Sequence, residues 1–110
     1  MTRDQRAEAS WLARVQHDLV KRMLWAARDC REFGRSPGPG DLIATFVDDE
    51  GQPIEARALW KRLAEEAPPD VELGQFEAAL RAAVAAAERN DLEGVLALEG
   101  AFEKLRTQGR

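Results

Sequence analysis

Apolar residues return along the first third of the chain at Leu12, Val15, Leu19, Met23, Ala26, Cys30 and Phe33, with charged residues between them. Spacings of three and four positions put such side chains on one side of an α-helix. Neither proline nor glycine occurs from Asp4 to Phe33, so a single helix is expected over about that span. The run stops at Gly34-Arg35-Ser36-Pro37-Gly38-Pro39-Gly40, where glycine releases a helix and two prolines prevent its resumption, so 34–40 reads as a linker. A helix of about thirty residues is roughly 45 Å long, against a radius of gyration of about 13 Å for a compact chain of this size. Either its ends project, or the fold is an elongated bundle, or a second copy covers the excess. A homodimer is the expected state.

Asp41 to Ile54 reads in two ways. As a helix, Asp41 caps Leu42, Ile43, Phe46 and Val47 on one face and Gly51 ends it. As a hairpin, Leu42 to Val47 is a strand that turns at Asp48-Asp49-Glu50-Gly51 and returns through Pro53-Ile54. The helix is the favoured expectation. Glu55 to Ala67 then predicts a short helix burying Leu59, Trp60 and Leu63, stopped by Pro68-Pro69.

After Asp70, Leu73, Phe76, Leu80, Val84 and Ala87 form one stripe, and the alanine-rich run from Ala78 to Ala87 combines helix propensity with little bulk. Arg89-Asn90-Asp91 predicts a tight connection, with Asn90 or Asp91 capping a last helix that carries Leu92, Val95, Leu98, Phe102 and Leu105. So short a link makes the two helices antiparallel neighbours. The predicted class is all-α: a small elongated helical bundle with a long N-terminal helix and a C-terminal αα-hairpin, or α+β if 42–54 is a hairpin.

Composition bounds this picture without changing it. With 110 residues, 45% hydrophobic and 33% charged, the chain supplies one core, and residues 1–110 read as one domain. The single cysteine, Cys30, can neither close an internal disulfide nor build a cysteine-rich zinc site. The opening MTRDQRAEAS lacks the apolar core of a secretory signal, and charges or prolines interrupt every run long enough to span a membrane. A cytoplasmic protein with no membrane partner is therefore expected. Thirteen arginines against three lysines, with nineteen alanines, read as the coding bias of a GC-rich bacterium.

Charge is uneven along the chain. Residues 1–36 hold eight basic and five acidic side chains, and the remainder holds eight and fifteen, so the net of -4 divides into +3 and -7. Such a division suits an acidic partner for the first helix, or packing of that helix beside its own acidic remainder. Projecting the helix at about 100° per residue with Trp11 at zero puts the apolar stripe between about 40° and 120°, with Ala27 and Val20 just beyond. His17, Arg35, Arg28, Lys21 and Arg14 then gather in a basic band, beside an edge made of Trp25, Asp18, Trp11, Asp29 and Arg22. The charges suit a solvated face with pairs such as Arg14–Asp18, Asp18–Arg22 and Arg28–Glu32. The tryptophans suit either a flank packed on a neighbouring helix or a protein-binding edge, since Trp and Arg recur as interface anchors.

Candidate chemistry is sparse. His17-Asp18 resembles an oriented base, but neighbours on a helix point about 100° apart, so Asp18 is poorly placed to hold that ring. Cys30 lies too far around the same helix to form a dyad with His17. No glycine pattern suits a nucleotide phosphate and no Glu-x-x-His spacing suits a di-iron site, so neither cofactor nor metal is expected. With a pI of about 5.1 and no helix-turn-helix signature, nucleic acid is not the expected partner. The favoured reading is a non-catalytic accessory or adaptor protein that binds a protein partner through Trp11, Arg14, Asp18, Lys21, Arg22, Trp25 and Arg28. The alternative is an anion-binding module, or a small all-α enzyme, that holds a phosphate- or carboxylate-bearing ligand with Arg14, His17, Lys21 and Arg28.

Overall fold

With neither proline nor glycine to interrupt it, the chain from Arg3 to Glu32 coils into one unbroken helical rod. It is not a uniform one. In a computed structural model that describes residues 3–42 and 46–108, the rod consists of α1 (Arg3–Val15), one π-helical turn (Gln16–Val20) and α2 (Lys21–Glu32). At the turn the Lys21 N–H donates to the carbonyl of Gln16, five residues back instead of four, while Val15 and Lys21 keep α-helical backbone angles. Such a turn absorbs one extra residue. Everything after it is rotated back by about 100° relative to a uniform α-helix.

The buried side chains supply the reason. Trp11, Leu12, Val15 and Leu19 are buried before or within the turn, and Val20, Met23, Leu24, Ala27 and Cys30 within or after it. On a uniform helix Leu24 projects at about 220° from Trp11, among the basic residues; with the turn it moves to about 120°, beside Leu12. Burying a leucine is worth about 1.5–3 kcal/mol, whereas a single helical hydrogen bond is worth about 0.5–1.5 kcal/mol net. Burial therefore outweighs the interrupted ladder. The same rotation corrects the expected stripe at its far end, for Phe33 is 65% exposed and Ala26 only half-buried.

Phe33 is also the C-cap of α2. Gly34, at φ +63°, donates its N–H to Arg31 O at 3.3 Å and Arg35 N–H reaches Cys30 O at 2.8 Å, the paired bonds of a Schellman ending. The linker is then held by Asn90, whose amide Nδ2 donates to Pro37 O at 2.7 Å.

The helix favoured over 41–51 is not what forms in the described part of that segment. Two-residue strands β1 (Phe46–Val47) and β2 (Pro53–Ile54) pair antiparallel, with Phe46 opposite Ile54 and Val47 opposite Pro53, which is the hairpin alternative in miniature. Residues 43–45, part of both readings, lie outside the described residues. A helix here would crowd Asp48, Asp49 and Glu50 at its negative end. In the turn, one Asp48 carboxylate oxygen instead accepts the N–H of Glu50 at 3.0 Å and of Gln52 at 2.9 Å, and Gly51 takes φ +79°. Nor does Asp41 cap a helix; its carboxylate accepts Gly38 N–H at 2.7 Å in the preceding turn. The molecule remains predominantly all-α.

α3 (Ala56–Glu65) buries Trp60 and Leu63, half-buries Leu59, and ends before Pro68-Pro69. α4 (Gly74–Glu88) and α5 (Leu92–Arg106) form the expected antiparallel hairpin. Asn90 takes the left-handed conformation at φ +59°, and Asp91 caps α5 through Gly94 N–H at 3.1 Å. A Cβ on Gly94 would lie 2.6 Å from the Cβ of Ala86, so glycine is what lets the two helices close up at that end. The core between the rod, α3 and the hairpin carries a line of rings: Trp11 to Trp60 at 6.0 Å, Trp60 to Phe76 at 4.8 Å and Phe76 to Phe102 at 6.4 Å between centroids. The resulting body measures 45 × 33 × 22 Å, an elongated bundle that accommodates the rod within one chain.

Candidate functional site

The edge predicted on the first helix divides into three parts, because the π turn and the neighbouring helices assign its residues to different surroundings. Trp11 belongs to the core. It is 4% exposed, and its indole Nε1 donates to Leu63 O at 2.7 Å, a carbonyl in the last turn of α3. Both ends of this amphipathic side chain are thus satisfied within the subunit, which corrects its placement on a docking edge. Arg14 follows it to the same side and pairs with Glu66 just after α3.

The second part faces α5. His17, Lys21 and Arg28 line a groove of about 530 Å³ together with Gln16, Glu99 and Glu103. Arg28 pairs with Glu99 at 3.3 Å, and Glu103 pairs with Arg106 at 2.7 Å. The hydrogen bond from Arg106 to Glu103, and then the charge of that carboxylate, push the already high pKa of the Arg106 guanidinium further up. Of the four residues expected to hold an anion, the structure brings together His17, Lys21 and Arg28 and leaves Arg14 outside. The opposite wall of the groove is acidic and largely engaged. His17 and Asp18 do meet, with Nδ1 3.1 Å from Oδ1, contrary to the expectation from helical angles. They lie within the π turn, where successive residues are closer in angle, and an exposed His17 side chain has room to swing.

The third part is the outward side of α2. Trp25 is 69% exposed in mid-helix, with Arg22 one turn before it and Asp29 one turn after. Arg22 Nη1 donates to Val47 O at 3.4 Å, so the small hairpin is tied down beside the indole's own stripe. Asp29 pairs with Arg35, whose guanidinium also sits 5.8 Å from the centre of the Phe33 ring. Trp25, Phe33 and Val47 are the large apolar side chains left exposed among the described residues. None of the expected pairs along the helix supplies these arginines with a partner. Arg14, Arg22 and Arg28 reach other elements instead, because bundle neighbours offer acceptors at closer range than the next turn.

A second groove of about 530 Å³, unanticipated from sequence, lies over the seam of α3 and α4 and is lined by Arg57, Lys61 and Arg81 among others. The i, i+4 spacing of Arg57 and Lys61 is visible in the chain, but their meeting with Arg81 depends on how the two helices pack. Among the described residues, no three His, Cys, Asp or Glu side chains gather in a way that could hold a metal ion, and no helix is long and apolar enough to cross a membrane.

No family model, curated protein or solved structure matches this chain.

Proposed function

We propose that the protein is a non-catalytic accessory module that docks on a protein partner through the outward side of α2, with Trp25 as the anchor. The observation that carries this reading is the 69% exposure of a tryptophan on a rigid helix while the chain's other two tryptophans, Trp11 and Trp60, are buried. Leaving so large a ring in water forgoes about 1.5–3 kcal/mol of burial, which a partner recovers on binding. Its surroundings suit an interface: a tryptophan between Arg22 and Asp29, each already oriented by a contact of its own, gives an apolar centre with a charged rim. Lys21 and Arg28 stand on the groove side of the same helix and extend that rim. Cys30, buried as a free thiol, suits a reducing compartment, and we place the protein in the cytoplasm.

The occupant we assign is a second copy of the chain. Two α2 helices crossing antiparallel about Trp25 bring Arg22 of each copy toward Asp29 of the other, as a two-fold contact requires. Sedimentation equilibrium over a concentration series tests it. The wild-type chain is expected to approach twice its monomer mass, Trp25→Ala to remain monomeric with unchanged helicity, and Arg22→Glu to weaken association until Asp29→Arg is added. A wild-type chain that stays monomeric throughout, or a Trp25→Ala chain that stays dimeric, overturns the reading.

A further inference from the structure

Outside the rod, one group of cations stands apart from the ion-pair pattern of the molecule. Among the described residues Arg3, Arg6, Lys21 and Lys104 have no carboxylate or carbonyl oxygen within reach of the side chain, and from Arg14 onward the arginines without one are Arg57 and Arg81. These two, with the equally unpartnered Lys61, line the same groove of about 530 Å³ between α3 and α4. That volume lies in the range that holds a small ligand. Two carboxylates share the lining and still leave the cations unpaired: Glu77 accepts the Trp60 indole N–H at 3.1 Å, and Glu65 stands one turn beyond Lys61 at the end of α3. Three cations against two carboxylates leave an excess of one positive charge in a protein whose net charge is -4.

We propose that this seam binds a small phosphate monoester, with Arg57, Lys61 and Arg81 as donors to its phosphate oxygens. Two guanidinium forks and one ammonium match a tetrahedral dianion better than they match the single oxygens of neighbouring side chains. The buried Trp60 fixes the floor, since its ring is packed between Trp11 and Phe76 and its N–H restrains Glu77. Glu65 opposes the ligand and sets a limit on affinity.

Inorganic phosphate is the probe, titrated into the full chain at constant ionic strength and followed by amide shifts in a nitrogen–proton correlation spectrum. Saturable shifts are expected to centre on residues 57–61 and 77–81. Arg57→Gln and Arg81→Gln should each weaken binding about tenfold, in line with loss of one charge-assisted hydrogen bond. Glu65→Gln should tighten it several-fold, and Lys104→Gln, which removes an unpartnered cation on α5, should leave it unchanged. Acetate and sulfate are expected to bind more weakly than phosphate, and either one shifting the same residues as tightly would show a general anion site and overturn the assignment. Shifts that chloride reproduces at equal ionic strength, that survive in the Arg57→Gln/Lys61→Gln/Arg81→Gln variant, or that Lys104→Gln removes equally well would overturn the proposal. Trp25→Ala lies on another surface and is expected to bind phosphate as the wild type does, so this site and the docking surface fail independently.

Discussion

α1 and α2 are two halves of one rod, each carries a tryptophan with an arginine and an acidic residue within one turn of it, and their fates are opposite. Trp11 is sealed against α3 with its N–H spent on Leu63, while Trp25 stands in water with Arg22 and Asp29. Two heptads separate them, so a uniform helix would place both on nearly one stripe and expose or bury them together. The π turn from Gln16 to Val20 removes that equivalence. It lets each half follow its own amphipathic stripe, and it turns the second indole out by the same rotation that brings Leu24 in. The binding surface and the core thus share a cause.

The comparison is broken most severely by adding to the turn. Inserting one alanine between Gln16 and His17 advances α2 by about 100°, cancels the offset that the turn provides and drives Leu24 and Ala27 toward solvent. The expected result is a loss of more than about 4 kcal/mol or failure to fold, read by chemical denaturation. Deleting Gln16 is the opposite test: it removes the extra residue, restores the α-helical ladder and keeps both buried stripes in place. Stability within about 1 kcal/mol of wild type is expected, the size of one hydrogen bond. A deletion that proves as damaging as the insertion would show that the turn is not a register correction.

Single substitutions sharpen the contrast. Trp11→Ala should cost about 3–5 kcal/mol, from lost burial and a lost partner for Leu63 O. Leu24→Ala should cost about 2–5 kcal/mol, although its position on a uniform helix predicts almost nothing. At a concentration where the wild type is also monomeric, Trp25→Ala should change stability by less than about 0.5 kcal/mol, the range of exposed positions, while removing association at higher concentration. Denaturation midpoints of the three proteins measured side by side are the check, and equal costs for Trp11→Ala and Trp25→Ala would remove the distinction between the halves.

The ends of the rod, α3 and α4 and the start of α5 were readable because glycine, proline and capping residues act over a few neighbours, whereas α4 begins at Gly74 without a side-chain cap and not directly after Asp70. Gly34 ends the rod and Asp91 starts α5 by bonds within their own turns. The segment after Asp41 was harder. Its apolar residues suit either a helix face or a strand, and the choice rests on where the Asp48 carboxylate and the two strand backbones find hydrogen bonds. Leu24 was the overlooked signal in the rod, an apolar residue placed among cations by a projection that assumes one helical phase. Of the candidate site, Trp25, Arg22 and Asp29 were legible as one edge; that Trp11 and Arg14 leave it for α3 was not.

Local chemistry was therefore enough to specify the rod, α3, α4 and α5, where each of them stops, and that one face of each must be covered, but not that a hairpin stands after Asp41 in place of a further helix. These depend on side chains acting on backbone within one turn. Phase and partnership depended on the assembled bundle: the π turn forms because burying Leu24 and Val20 outweighs an interrupted hydrogen-bond ladder, and that burial exists only once α3, α4 and α5 are packed against the rod. The same packing brings Arg57, Lys61 and Arg81 from two helices to one groove. A helix can encode its own ends, but the direction in which it presents a given side chain is settled by what it packs against.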